Sequence, residues 1–171
     1  MDAAHPLFNN LNGYKWQLKG KENTQLALSN EGRKRLTILS AYNPNTVSYT
    51  TIFTENTCDQ EMICLFLQEI RKDYPTASKI NIVLDNASYH RAKRVKKLAE
   101  ENNILLKFLP AYAPNLNLIE RLWRLLRKQV LENNYFHLKE HWVEACENFF
   151  LDWDKHLPKI KSLLNFKFDI L

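Results

Sequence analysis

The chain has 171 residues, a length that suits one domain with a substantial buried core. Its 45% hydrophobic and 25% charged residues are those of an ordinary globular protein, and no apolar run approaches the roughly 18 residues of a membrane span. The first ten residues lack the basic lead and apolar stretch of a signal peptide. The three cysteines have no metal-ligand spacing, which predicts reduced thiols in a cytoplasmic protein.

The formal net charge of +5 is concentrated in one part of the chain. Between Ser88 and Val130, ten Lys and Arg residues stand against three acids, whereas the remainder of the chain is slightly acidic. Such a segment can be a solvated helix face or a surface for a polyanion, because phosphate contacts supply most of the nonspecific affinity for nucleic acid.

Short strands are predicted in the first third of the chain. After a mostly polar start, the residues from Tyr14 to Ser29 alternate weakly, which predicts extended structure or a hairpin. The segments from Arg35 to Asn43 and from Ser48 to Glu55 are rich in β-branched and aromatic residues. Because the turn residues Asn43-Pro44-Asn45-Thr46 join them, we expect an antiparallel hairpin.

A helix is predicted after the hairpin. Thr57 and Gln60 have the spacing of a capping box, and apolar residues recur at helical spacing until Tyr74 and Pro75 end the pattern. Four acids on this helix are expected to form a solvated face: Asp59, Glu61, Glu69 and Asp73.

Two apolar runs of strand length follow, and each leads to an acidic residue. The run from Ile80 to Leu84 ends in Asp85, and a buried strand that ends in a carboxylate delivers it to the sheet edge where ligands of α/β proteins bind. The run from Ile104 to Leu109 is stopped by Pro110, and the next predicted helix carries Glu120 in its first turn. We therefore expect two carboxylates to converge at one end of a sheet.

Three more helices are predicted from apolar stripes. The first runs from about Ser88 to Asn102 and directs its lysines outward, and the second runs from Leu118 to about Glu132. The third lies in the tail after Tyr135, where six residues at helical spacing are expected in the core: Phe136, Trp142, Cys146, Phe149, Phe150 and Trp153. Since the sequence has only three glycines and no repeat or linker, residues 1–171 predict a single domain.

Three sequence words and their spacing carry a family resemblance. The words are Leu84-Asp85-Asn86-Ala87-Ser88-Tyr89-His90, Leu109-Pro110-Ala111-Tyr112-Ala113-Pro114-Asn115-Leu116-Asn117 and Ile119-Glu120-Arg121-Leu122-Trp123. Thirty-four residues separate Asp85 from Glu120, and the chain opens with Asp2-Ala3-Ala4-His5-Pro6. Over nearly its whole length the chain resembles the catalytic core of bacterial insertion-sequence transposases of the mariner superfamily, in the DDE group.

The resemblance implies an α/β fold of the ribonuclease-H-like, retroviral-integrase-like type, with a mixed sheet flanked by helices. It also implies two Mg²⁺ or Mn²⁺ ions, DNA strand cleavage at transposon ends, and transfer of the 3′-hydroxyl to target DNA. The implied catalytic and metal-binding residues are Asp2, Asp85 and Glu120, supported by Asn86, His90 and Asn117. The DNA contacts expected from the basic segment are Arg91, Lys93, Arg94, Lys96, Lys97, Arg121, Arg124, Arg127 and Lys128.

The start of the chain predicts a truncated first strand. Only one residue precedes Asp2, so most of the strand that presents this acid in the family is expected to be absent, and the terminal ammonium should lie beside a metal ligand. The helix-turn-helix region that precedes this core in the family is expected to be absent as well. The expected partners are transposon-end and target DNA, a second copy in a homodimer and a separately encoded helix-turn-helix portion, in the cytoplasm at the nucleoid.

Other interpretations of the same residues stay open. Asp85 could cap the following helix, and Glu120 could form a capping pair with Asn117. A non-catalytic DNA-binding remnant with an incomplete active site is the alternative that the short first strand favours. Another ribonuclease-H-like nuclease, acting on a junction or an RNA strand, is a second alternative, against which the proline-containing word around Tyr112 argues.

Overall fold

The computed structural model describes residues 1–8, 18–23, 32, 34–111 and 113–166. Its strands are β1 Asp2–Ala4, β2 Thr37–Asn43, β3 Ser48–Thr54, β4 Ile80–Leu84 and β5 Ile104–Phe108. Its α-helices are α1 Gln60–Asp73, α2 Lys93–Glu101, α3 Leu118–Leu126, α4 Lys139–Leu151 and α5 Trp153–Leu163. Short 3-10 helices cover Lys21–Asn23, Ser88–Arg91 and Pro114–Leu116.

The strands form a mixed sheet in two hydrogen-bonded parts. In the first part β1, β2 and β3 are antiparallel in that order, and the predicted hairpin is confirmed, with Asn43 opposite Ser48. In the second part β4 and β5 are parallel. The amino group of Met1 donates a hydrogen bond to the carbonyl oxygen of Val83 at 2.8 Å, which joins the end of β1 to β4.

Helices cover both faces of this sheet. Adjacent residues of a strand point to opposite faces, so Ile38 of β2 packs with α3, α4 and α5, whereas Leu39 packs with α1, α2, β4 and β5. Both side chains are fully buried. The sheet is therefore the central layer of an α/β structure, as the sequence predicts.

The first strand is short, as expected. β1 pairs with β2 only as far as Ser40, and among the described residues Ala41 to Asn43 have no strand partner on that side. A cavity of about 620 Å³ lies there, and residues of β2, β4 and α1 contribute to its lining. The carboxyl ends of β4 and β5 lie outside it.

Two helix starts differ from the sequence prediction. The N-cap of α1 is Asp59 rather than Thr57, because the Asp59 carboxylate lies directly before Gln60 and accepts hydrogen bonds from the backbone of Glu61 at 3.0 Å and Met62 at 2.9 Å. The helix predicted from Ser88 is interrupted at Ala92, whose backbone is extended (φ −57°, ψ 141°), so that α2 begins at Lys93.

The other acids predicted on the solvated face of α1 are exposed or partly exposed. Glu61 pairs with Arg94 at 3.1 Å, and Glu69 pairs with Lys72 at 2.7 Å. Asp73 accepts a hydrogen bond from Thr50 of β3. These three acids therefore have partners within the protein, on α1 itself, on α2 and on β3.

The last part of the chain contains two helices rather than one. α3 continues as a π-helical turn over Arg127–Leu131, and the tail helix is interrupted at Asp152. The core prediction for the tail is nevertheless confirmed, because Trp142 is 1% exposed, Cys146 is 0% exposed, and Phe149, Phe150 and Trp153 are buried. Phe136 is partly buried against the same cluster.

Two further observations concern the chain as a whole. No helix within the described residues is long and apolar enough to cross a membrane. The three cysteines are free thiols. Most of the extended structure or hairpin predicted from Tyr14 to Ser29 lies outside the described residues, and the described part contains the 3-10 helix Lys21–Asn23 instead of a strand.

Candidate active site

Asp85 stands at the end of β4, where alternation of the strand buries Ile82 and Leu84 and brings the chain out of the core. Its side chain is 50% exposed. One carboxylate oxygen, Oδ1, accepts a hydrogen bond from the backbone N–H of Ala87 at 3.1 Å and lies 2.9 Å from Nδ1 of His90. Half of the Asp85 side chain is exposed, so a ligand can reach it from solvent.

His90 is almost completely buried behind Asp85, at 1% exposure. The 3-10 turn over Ser88–Arg91 brings its ring back toward the carboxylate, although the contact lacks linear hydrogen-bond geometry. Burial lowers the pKa of His90, and the charge of Asp85 opposes that effect. The sequence places His90 in a helix turn, but it does not reveal this burial.

Asp2, on β1, is held by a hydrogen bond from α3. The indole Nε1 of Trp123 donates a hydrogen bond to Oδ2 of Asp2 at 3.0 Å. Burial raises the pKa of Asp2, while hydrogen bonds from the Ala3 backbone and from Trp123 act against this shift. The Met1 ammonium is buried beside the site as expected, and this burial lowers its pKa to about 6.

Glu120 enters the site from the first turn of α3. Asn117 caps that helix with a contact from Ile119 N–H to its side-chain oxygen at 3.4 Å, and its amide nitrogen lies 3.4 Å from the carbonyl oxygen of Met1. Asn117 is buried, so the start of α3 is fixed against β1. Burial raises the pKa of Glu120, and the neighbouring Asp2 raises it further by charge and hydrogen bonding.

The three carboxyl groups interact with one another. Met1 is hydrogen-bonded to Val83 of β4 and Asp2 to Trp123 of α3, so β1 lies next to both elements that carry the other two acids. In keeping with this arrangement, the charge of Asp85 raises the pKa of both Asp2 and Glu120. Within the described part of the chain, however, no three His, Cys, Asp or Glu side chains are already arranged as a metal site. The donor set suits a hard divalent cation, because carboxylate oxygens are the ligands that Mg²⁺ and Mn²⁺ prefer.

Asn86 does not point toward the acids. Its amide nitrogen donates a hydrogen bond to the carbonyl oxygen of Leu109, and its oxygen accepts one from Arg91. The Arg91 guanidinium also lies 4.3 Å from the ring centre of Phe108. These contacts tie together the chain segments that follow β4 and β5.

Several of the basic residues predicted to contact DNA are engaged within the protein. Arg94 pairs with Glu61 at 3.1 Å, and Arg121 donates to the carbonyl oxygens of Leu163 at 2.9 Å and Asn165 at 3.0 Å. Lys97 and Arg127 pair with Glu101 and Glu132 at 3.9 Å and 3.1 Å. Four of the predicted residues are exposed and have no ion pair in the described structure: Lys93, Lys96, Arg124 and Lys128.

Sequence reasoning missed Trp123 as a residue of the site. Its sequence signals are that it ends the word Ile119-Glu120-Arg121-Leu122-Trp123 and follows Glu120 by three positions on a predicted helix, a spacing that puts two side chains on the same helix face. Periodicity alone assigns such a tryptophan to the core.

A mixed sheet between two helical layers, with acids converging from two strands and a helix, defines a ribonuclease-H-like domain with an acidic site. The chain belongs to the DDE superfamily endonuclease family, whose sequence pattern matches residues 1–141. This finding confirms the family predicted from the sequence words.

Two curated proteins are similar to this chain. The uncharacterized protein y4pE/y4sA of Sinorhizobium fredii is 32% identical over 89 residues, which cover 52% of this chain and 64% of that protein. The insertion element IS630 uncharacterized 39 kDa protein of Shigella sonnei is 23% identical over 142 residues, which cover 77% of this chain and 40% of that protein. The chain therefore spans less than two thirds of the length of either relative.

Solved structures of the Mos1 mariner transposase are similar in fold. A pre-cleavage Mos1 transpososome matches with a TM-score of 0.66 and 16% identity, over 95% of this chain and 53% of that chain. The Mos1 paired end complex with Mn matches with a TM-score of 0.63 and 16% identity, over 94% of this chain and 54% of that chain. This likeness confirms the predicted ribonuclease-H-like fold.

Proposed function

We propose that this chain is the catalytic core of a DNA transposase, which cuts DNA strands at transposon ends and transfers the resulting 3′-hydroxyl to target DNA. The observation that carries the proposal is that hydrogen bonds from Met1 to Val83 and from Trp123 to Asp2 hold β1 beside β4 and α3. Asp2, Asp85 and Glu120, which lie far apart in sequence, therefore come from three adjacent elements. Membership of the DDE superfamily endonuclease family supports the same class of reaction.

Two Mg²⁺ or Mn²⁺ ions are the cofactors that these three acids fit. When bound, such a pair of ions stabilises the attacking and the leaving oxygen during an in-line displacement at phosphorus. Asp85 would hold metal with its half-exposed carboxylate, and Asp2 and Glu120 would complete the ligand set. Mos1 paired end complexes solved with Mn and with Mg support this choice of cofactor.

The supporting residues would keep the acids in place rather than react themselves. His90 lies 2.9 Å from Asp85 and limits the rotation of its carboxylate, whereas Asn117 fixes the helix start that carries Glu120. Asn86 holds the segment after β4 to Leu109. In this proposal His90 acts through its close contact with Asp85, and the two asparagines act through hydrogen bonds.

DNA is the proposed partner, and the basic residues around the acids would bind its phosphates. The four unpaired exposed residues Lys93, Lys96, Arg124 and Lys128 are the first candidates, because the others would have to leave contacts within the protein. A solved Mos1 paired-end complex contains the left transposon end, which supports DNA as the partner. A homodimer and a separately supplied helix-turn-helix portion remain part of the proposal.

A non-catalytic DNA-binding remnant is the second candidate function. The exposed lysines Lys93 and Lys96 favour it, because they support DNA binding whether or not the acids hold metal. In that case the fold and the basic face would be retained, but Asp2 would not be held well enough to complete the site.

Nicking of supercoiled plasmid in the presence of Mn²⁺ tests the proposal. We expect the parent chain to convert plasmid to open circles and Asp85→Asn to be slower by more than about 100-fold, because even residues that only support metal ligands cost 10–100-fold when removed. Glu144→Gln, an exposed change on α4, is the control that should retain activity.

Three other results of the nicking assay would each change the functional assignment. Absence of nicking by the folded parent would favour the remnant. Retained nicking by Asp85→Asn would remove Asp85 from the mechanism. A preference for an RNA:DNA hybrid over duplex DNA would favour a ribonuclease.

A further inference from the structure

One turn of α3 presents two different groups to Asp2. Glu120 supplies a carboxyl group, and Trp123, three residues later on the same face, supplies an N–H donor. The indole Nε1 lies 3.0 Å from Oδ2 of Asp2, and 121 positions separate the two residues in the sequence. This hydrogen bond is therefore a long-range connection between β1 and α3.

The indole has chemical properties that suit it to hold a metal ligand. Its N–H group is only a donor, so it does not accept a cation or compete with the carboxylates for metal. Its hydrogen bond to Oδ2 holds the Asp2 carboxylate at one of its two oxygens. A carboxylate that is held at one oxygen loses less rotational freedom when the second oxygen binds a cation.

The position of the indole is itself fixed by packing. Trp123 is partly buried against the hydrophobic cluster formed by α3, α4 and α5, and the adjacent Leu122 is completely buried. Asn117 fixes the start of the same helix against the carbonyl of Met1. The N–H group therefore points at Asp2 from a packed helix whose start is also held in place.

We propose that Trp123 is a positioning residue that orients Asp2 for divalent-cation binding and thereby sets the metal affinity of the site. This inference rests on the proposed function, because it assigns the acids to metal, but it concerns a residue that belongs to no sequence-predicted site. Trp123 acts through Asp2 and does not touch metal or DNA.

The test measures Mn²⁺ binding by the whole chain without DNA, from the electron paramagnetic resonance signal of free Mn²⁺. Trp123→Phe keeps most of the ring but removes the N–H group, and we expect the Mn²⁺ dissociation constant to rise about tenfold or more. The matched control is Trp153→Phe, on α5. It also removes an indole hydrogen bond, which Trp153 donates to the carbonyl oxygen of Val47 at 2.8 Å. We expect Trp153→Phe to leave Mn²⁺ binding unchanged.

A double-mutant cycle shows whether Trp123 acts through Asp2. In an Asp2→Asn background, Trp123→Phe should cause no further loss of Mn²⁺ affinity, because the group that it orients is already changed. If Trp123→Phe lowered the Mn²⁺ affinity equally in the parent and in the Asp2→Asn background, the proposal would be overturned. So would an unchanged dissociation constant for Trp123→Phe in the parent background.

A metal-free measurement separates this inference from the proposed function. The indole N–H resonance of Trp123, assigned by its absence in Trp123→Phe, should shift in Asp2→Asn, whereas that of Trp153 should not. If the parent binds Mn²⁺ and Asp85→Asn does not, an unchanged Mn²⁺ dissociation constant for Trp123→Phe overturns only the role of Trp123. If the parent binds no Mn²⁺, both the metal site and the positioning role fail, even if the resonance shifts.

Discussion

At the scale of single residues, the site is defined by acids whose charges disfavour one another. Burial and the charge of Asp2 raise the pKa of Glu120, and burial raises the pKa of Asp2. In the metal-free protein the ionised forms of both acids are disfavoured on balance, although Arg124 acts against this at Glu120 and the Met1 ammonium acts against it at Asp2. A divalent cation removes the conflict, which is why such clusters are expected at metal-dependent sites.

Replacing one acid by its neutral amide should therefore stabilise the metal-free protein. We expect Glu120→Gln to raise the melting temperature in EDTA at pH 7 by about 1–3 °C, a modest rise because solvent screens this partly exposed group. Because the pKa of Glu120 is raised in the folded state, the parent loses stability as pH rises above 4.5, the ordinary pKa of a glutamate. Below that pH Glu120 is protonated in both states, so the higher melting temperature of Glu120→Gln should disappear near pH 4.

The control for this prediction is Glu144→Gln, which removes an exposed acid of α4 without changing the site. Differential scanning calorimetry at the two pH values measures both variants. A lower melting temperature for Glu120→Gln than for the parent at pH 7 would contradict the electrostatic account.

At the scale of secondary-structure elements, α2 and α3 divide the proposed functions between them. α3 carries Glu120 and Trp123 on the side facing Asp2, while α2 buries Val95 and Ala99 and exposes its lysines. Lys93 and Lys96 have no ion pair in the described structure, so they are available to phosphates. The exposed face of α2 is therefore the proposed DNA-binding element.

Removal of these two charges should weaken DNA binding. We expect Lys93→Gln combined with Lys96→Gln to lower affinity for duplex DNA and to reduce the slope of log K against log[salt] by about 0.9 for each phosphate that is no longer neutralised, or about 1.8 in total. Lys159→Gln combined with Lys161→Gln removes the same charge from exposed positions of α5 and should change the slope less. Equal slopes for the parent and the α2 variant would make α2 an ordinary solvated helix.

The sequence predicts elements well where a single local signal dominates. The hairpin, the two strands that precede Asp85 and Pro110, and the core tryptophans of the tail follow from alternation, turn residues and helical spacing. The break at Ala92 could not be predicted in this way. The 3-10 turn before it brings His90 to Asp85, and neither alternation nor helical spacing encodes this contact. Likewise, Asp59 and Thr57 are both good caps, and only the observed helix start decides between them.

At the scale of the whole molecule, the site depends on contacts between distant parts of the chain. Asp2, Asp85 and Glu120 could be proposed from sequence words and spacing, but the bond from Trp123 to Asp2 requires β1 and α3 to be adjacent. The same holds for the internal contacts of Arg94 and Arg121, which reduce the set of free basic residues. Local patterns contain no information on such pairs, since their geometry arises only when the sheet and its helical layers are complete.

The central claim is that the three acids form a binding site for two divalent cations, and an anomalous difference map from crystals soaked in Mn²⁺ tests it most directly. The account predicts two peaks about 3.5–4 Å apart, enclosed by the carboxylates of Asp2, Asp85 and Glu120. Peaks only at other positions, or no peak beside Asp85 in a folded chain saturated with Mn²⁺, would contradict it.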